Sequence, residues 1–160
     1  MTTKLSAIPK HQNIDQVEQK PQQEAPLFSV QVFGDRLSAG FPSPATDYVE
    51  NTLDLNQYLI HNKAATFIFT IKGDSMIDAS IEDGDKVIVD RSIKARHRHI
   101  VVAVVNNEYT IKRLYKYAGR IELHPENPRY IPITFSEGSE LQIWGVVIGV
   151  VRRYTNKADL

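Results

Sequence analysis

The sequence predicts a mostly β fold of short antiparallel strands behind an N-terminal tail that forms no regular structure. Three observations carry this. From residue 65 onward, apolar residues alternate or cluster in strand-length runs closed by Gly, Asn or Asp. Helical periodicity is confined to one short stretch. Residues 1–26 differ in composition from everything after them: no aromatic residue, no glycine, five glutamines, and prolines at Pro9, Pro21 and Pro26.

Such a tail buries too little apolar surface to offset its ordering entropy, so residues 1–26 are expected to be disordered. The stretch is also too polar and too short for a helix-turn-helix domain. Residues 27–33 (Leu27-Phe28-Ser29-Val30-Gln31-Val32-Phe33) alternate as a strand, and Pro42 and Pro44 keep the following chain out of helix and out of a central strand. Asp54 is a good N-cap for a short helix through Leu55, Tyr58 and Leu59. Phe67, Phe69 and Ile71 then alternate with Thr66, Ile68 and Thr70. Glu82-Asp83-Gly84-Asp85 reads as a hairpin turn into Lys86-Val87-Ile88-Val89-Asp90, too short for a calcium loop. Residues 100–105 form a buried-strand run, and Asn106-Asn107 turns it into residues 109–114. Residues 120–124 and 141–152 complete the set. The last holds Trp144 and a near-continuous Val/Ile run, as a strand covered on both faces would.

Bulk numbers exclude several functions. A chain of 160 residues with 42% hydrophobic content supports one domain with an appendage. Lys plus Arg equals Asp plus Glu at 19 each, and the balance also holds on either side of residue 39, so no basic stripe for DNA phosphates is expected. With no cysteine there are no disulfides, thiolate nucleophiles or Cys-based zinc sites, which fits a cytoplasmic protein. No apolar run approaches the roughly 18 residues of a membrane span, and Met1-Thr2-Thr3-Lys4 lacks the apolar core of a secretory leader.

Three segments carry the chemistry. Ala39-Gly40-Phe41-Pro42 is a small-residue peptide segment, and Ala39 lies 36 residues before Ser75 of Gly73-Asp74-Ser75-Met76; Lys112 lies 37 residues after Ser75. A Gly-Asp-Ser triplet is ordinarily a turn. Here it directly follows a strand able to hold the hydroxyl rigidly, with the Ser75 and Met76 amides available to an oxyanion. A serine nucleophile needs a base. The histidines (His11, His61, His97, His99 and His124) sit in no recognisable triad setting. A lysine serves only when neutral, which requires burial. Alternation puts Lys112 on one face with Thr110 and Leu114 without saying whether that face is inside, and most strand lysines face solvent. The Ala39-Gly40 segment reads equally as a linker or as a cleavable bond. His97-Arg98-His99 offers two imidazoles on one face, but no carboxylate or cysteine is spaced to complete a metal site. Neither metal nor cofactor is expected.

Taken in order and at these separations, the motifs resemble the LexA-type Ser/Lys-dyad self-cleaving peptidases, and among them the UmuD-type accessory subunits of translesion DNA polymerases. The resemblance covers residues 33–152. It rests on residues 39–45, Gly73-Asp74-Ser75-Met76-Ile77-Asp78, Asp83-Gly84-Asp85 with Val87-Ile88-Val89-Asp90, Thr110-Ile111-Lys112-Arg113-Leu114 and Trp144-Gly145-Val146-Val147. It implies a bent antiparallel β fold, also shared with signal peptidases. It implies Ser75 as nucleophile, Lys112 as general base, and Ala39-Gly40 as the bond cut, dividing a flexible arm (1–39) from a peptidase-like domain (40–160). It further implies a homodimer, stimulation by a RecA filament on single-stranded DNA during the SOS response, and a UmuC-type Y-family polymerase partner, with no direct DNA binding. Residues 1–39 lack the DNA-binding domain that LexA and phage repressors place there. Two features depart from the family pattern: a longer tail, and His97-Arg98-His99 where the family carries His-Gly-Asp, which bears on the turn beside the Lys112 strand. The rival readings are a non-catalytic β scaffold, a LexA-type transcriptional regulator, and a signal-peptidase-like enzyme, which needs a membrane anchor.

Overall fold

The computed structural model describes residues 29–33, 49–135 and 140–155. The expected disordered tail, the Ala39-Gly40 bond and His11 lie outside these. Strands β1 (Ser29–Phe33) and β2 (Val49–Asp54) form an antiparallel pair. The helix α1 (Leu55–Leu59) starts where expected: Asp54 is its N-cap, its carboxylate accepting from the Asn56 and Gln57 amides. The remaining strands are β3 (Thr66–Thr70), β4 (Lys86–Asp90), β5 (Ile100–Val105), β6 (Glu108–Tyr117), β7 (Arg120–His124), β8 (Ile133–Thr134) and β9 (Leu141–Val151). They make one antiparallel sheet in the order β3-β4-β9-β5-β6-β7-β8. Among the described residues no helix is long and apolar enough to cross a membrane.

The continuous apolar run of β5 has a physical reason. Successive strand residues face opposite sides, and both sides of β5 are covered. Val102 packs with Met76, Ile81, Val87 and Val89, while Val101 and Ala103 pack with Leu114, Leu123 and Val146. β9 lies between β4 and β5 and bends twice. Its register to β5 passes from Gly145 opposite Val102 to Ile143 opposite Ala103, leaving Trp144 unmatched. Its register to β4 passes from Gly149 opposite Ile88 to Val147 opposite Val89, leaving Ile148 unmatched. Each extra residue is a β-bulge, which bends the strand and increases its twist. The bulged Trp144 receives Phe67 and Phe69 edge-on at centroid distances of 5.0 and 4.9 Å.

The turn at Glu82-Asp83-Gly84-Asp85 precedes β4 as expected, with Gly84 at φ +85°, but it is not a hairpin turn. The paired strands β3 and β4 are joined by the whole excursion 71–85, which carries Ser75. This excursion is clipped at its far end to the residue after β9. Buried Asp85 accepts from Arg152 Nε (2.7 Å) and Nη2 (2.6 Å), and Arg152 Nη1 donates to Glu82 at 2.8 Å. Hydrogen bonding to the Arg152 guanidinium holds the Asp85 carboxyl below its ordinary value despite burial.

Gly145 is required by packing. A Cβ there would sit 2.7 Å from Val89 Cγ1 and 3.2 Å from the Asp90 carbonyl oxygen, and the backbone atom has no rotamer through which to yield. Gly145→Ala is expected to cost about 1–3 kcal/mol, the usual range for overpacking, read as a lowered urea midpoint at unchanged m-value.

Candidate active site

Ser75 is presented by a loop pinned at both ends. Gly73 takes φ +93°, a conformation that disfavours any side chain, and its N–H donates to Asp83 Oδ1 at 2.6 Å. After the serine, Met76 buries its side chain to 1% exposure in the core and a single 3₁₀ turn, Ile77–Ala79, follows. The serine is therefore held between a left-handed glycine and a core anchor.

Lys112 comes from the middle of β6, where the question left open by alternation is decided by burial: Lys112 and Leu114 are the two buried positions of the strand. Lys112 is 8% exposed. Its Nζ lies 2.9 Å from Ser75 Oγ, 3.1 Å from Thr110 Oγ1 and 2.8 Å from the Ile111 carbonyl oxygen. Burial disfavours the ammonium and pushes the amine below the ordinary lysine value. The partner set suits a neutral amine. It has two N–H donors and one lone pair, and the Ile111 carbonyl can only accept. With the other N–H given to Thr110, the lone pair faces Ser75, whose hydroxyl then donates to it. In the ammonium form the same three contacts are all donated by Nζ. A proton could pass between the two along this one hydrogen bond.

The loop after β7 holds the serine loop in place. Glu126 N–H donates to the Ser75 carbonyl at 2.8 Å, Asp78 N–H donates to the Glu126 carbonyl at 2.8 Å, and Asn127 Nδ2 donates to the Asp74 carbonyl at 2.9 Å. Arg129 and the Tyr130 hydroxyl both bond the Asp74 carboxylate, and these contacts hold its carboxyl below the ordinary value. Arg113, next to Lys112 on β6, is ion-paired to Glu126. The only advance sign of this loop is Pro125 and Pro128, which mark a rigid turn.

None of the described histidines bonds Ser75. His97 Nδ1 accepts from Lys116 N–H at 3.0 Å, His99 Nδ1 from Arg96 N–H at 3.2 Å, and His124 pairs with Glu122. Among the described residues no group of three or more His, Cys, Asp and Glu side chains is arranged to hold a metal. Ala39 and Gly40 lie outside the described residues.

The departure at Arg98 leaves the turn beside β6 in a glycine-like conformation. Arg98 adopts φ +70°, its N–H donates to the Leu114 carbonyl at 2.7 Å, and its carbonyl accepts from Arg113 Nη1 at 2.8 Å. The backbone strain is accepted in return for a guanidinium that bonds the Tyr115 hydroxyl at 3.2 Å and covers its ring. Stability is expected to rise in Arg98→Gly, where left-handed backbone carries no side-chain cost, and to fall in Arg98→Val, where branching at Cβ adds to it. The two variants should bracket the natural protein over about 1–2 kcal/mol, the cost of left-handed backbone for an L-residue. Chemical denaturation of the three proteins checks the order.

Comparison with known proteins shows the family of the chain. Residues 31–148 match the family model described as Peptidase S24-like. The chain is 44% identical to protein SamA of Salmonella typhimurium strain LT2 over 133 residues, 83% of this chain and 92% of that one. It is 44% identical to protein ImpA of Escherichia coli over 124 residues, 76% of this chain and 83% of the relative. LexA repressor 2 of Geobacter sulfurreducens is 41% identical over 129 residues, 80% of this chain but 62% of the repressor. The chain belongs to the Peptidase S24-like family of LexA-type self-cleaving serine peptidases, as one of its UmuD-like SOS mutagenesis proteins.

Proposed function

We propose that Ser75 and Lys112 cut the Ala39-Gly40 bond of this chain, and that the remaining 40–160 domain then serves as a polymerase accessory subunit. The observation that carries the proposal is the 2.9 Å contact between a buried lysine amine and the serine hydroxyl. Neutral Lys112 takes the Ser75 proton as Oγ attacks the Ala39 carbonyl carbon. The amides of Ser75 and Met76 receive the oxyanion. The C–N bond breaks as Lys112 returns the proton to the Gly40 nitrogen, which frees the Gly40 amino group and leaves residues 1–39 as an ester on Ser75 until water releases them. Water, deprotonated by Lys112, then displaces the ester and Ser75 regains its proton.

Bond and nucleophile share one chain or one dimer, so their effective concentration is high. Without a stimulus, cleavage would be slowed by rare docking of the arm or by Lys112 being largely protonated at neutral pH. A RecA filament on single-stranded DNA would act by favouring the docked state, since a ligand shifts an equilibrium only by its differential affinity. The family resemblance further supports a cytoplasmic homodimer that joins a UmuC-type Y-family polymerase during SOS mutagenesis.

Intact mass after incubation with RecA, ATP and single-stranded DNA tests the reading. The expected product is residues 40–160, absent from Ser75→Ala protein. Without RecA, the rate should rise with pH and level off above the lowered lysine pKa, because only neutral Lys112 accepts the proton. Cleavage that survives in Ser75→Ala, or a rate flat from neutral to strongly alkaline pH, removes Ser75 or Lys112 from its role. Protein that stays whole throughout favours the non-catalytic scaffold, or a transcriptional regulator that works uncut.

A further inference from the structure

We infer that Asn127 is a positioning residue that turns the Ser75 and Met76 amides toward the reacting carbonyl; this rests on the reading of Ser75 as nucleophile. In a trans peptide the C=O and N–H point in opposite directions, and no peptide among the described residues is cis. The Asp74 carbonyl is bound by Asn127 Nδ2 at 2.9 Å and the Ser75 carbonyl by Glu126 N–H at 2.8 Å. Both carbonyls of two successive peptides are thus drawn to the 126–127 segment. The N–H groups of Ser75 and Met76 must leave the loop on the opposite side.

A second observation bears on what those amides do. Among the described residues, neither donates a hydrogen bond. Met76 is only 1% exposed. A buried N–H without an acceptor is costly and rare. The buried Met76 amide, with the half-buried Ser75 amide next to it, is suited to an oxygen that gains charge during the reaction.

Asn127 is built for this task. It is 6% exposed. Its Oδ1 accepts from Arg129 N–H at 3.0 Å, so the amide has one orientation, with Nδ2 toward Asp74. An aspartate would present a second acceptor to the Asp74 carbonyl. The Asp74 carbonyl also accepts a longer 3.3 Å bond from Ile77 N–H that closes the turn. Loss of Asn127 therefore loosens the peptide without freeing it.

The test is the pH–rate profile of self-cleavage in the full chain carrying Asn127→Asp or Asn127→Ala, with Ser75→Ala as blank. The plateau rate is expected to fall about 10- to 100-fold in Asn127→Asp, less than the loss of an oxyanion donor itself, and by a smaller factor in Asn127→Ala, where water can enter. The pH midpoint should stay where Lys112 sets it, in protein shown by thermal melting to be folded. A general structural role would displace Ser75 from Lys112 and move the midpoint. Wild-type plateau rates, or a lowered plateau with a shifted midpoint, overturn the inference. Cleavage persisting in the Ser75→Ala blank overturns the nucleophile assignment instead. A readout free of turnover is the amide resonances of residues 75 and 76 in Ser75→Ala protein: adding Asn127→Asp should shift both and leave residue 112 in place, and unmoved resonances contradict the inference.

Discussion

An amine kept out of water is the constraint on which the rest of this structure depends. A lysine in solution is an ammonium and useless as a base. Here burial on the inner face of β6 disfavours the charge, and three oxygen partners give the nitrogen a place in either protonation state. That arrangement demands a β6 covered on its Lys112 side. It also demands a serine delivered from a distant part of the chain to within hydrogen-bonding distance. The first demand is met by the core in which Leu114, the other buried residue of β6, packs with Val101 and Leu123.

The second demand falls on the 71–85 excursion. An irregular segment of this length would ordinarily be the loosest part of a β fold. It is instead tied at several points: to Asp83 through the Gly73 amide, to the core through Met76, to the end of β9 through Asp85 and Arg152, and to the 126–130 segment through Asp74, Ser75 and Asp78. Arg113 connects these supports to the lysine, since it pairs with Glu126 while its neighbour Lys112 faces the serine. Ser75 and Lys112 thus share a frame without being close in sequence.

Much of this is legible in the residues and some is not. Local signals find α1 from its Asp54 cap, the β5–β6 hairpin from Asn106-Asn107, where both φ angles are positive, and β5 itself from its unbroken apolar run. They miss β2, whose Val-Glu-Asn-Thr-Leu-Asp sequence is too polar to read as a strand and exists by pairing with β1. They miss β8, a two-residue edge defined only by β7. Lys112 is ambiguous in sequence because alternation assigns faces, while burial is a property of the assembled sheet. Asn127 carries no signal, since an asparagine between prolines looks like any turn until Asp74 is found opposite it, 53 residues away in sequence.

Membership of the S24-like family places this geometry among serine peptidases, yet the chemistry still turns on the charge of one nitrogen. The most direct test is an NMR titration of the Lys112 Nζ and Cε signals in uncut Ser75→Ala protein. A midpoint clearly below the ordinary lysine value is the predicted result and means that burial supplies the base. A midpoint at the ordinary lysine value or above it would mean that Lys112 remains an ammonium at the pH of cleavage, and the account of the dyad would be wrong.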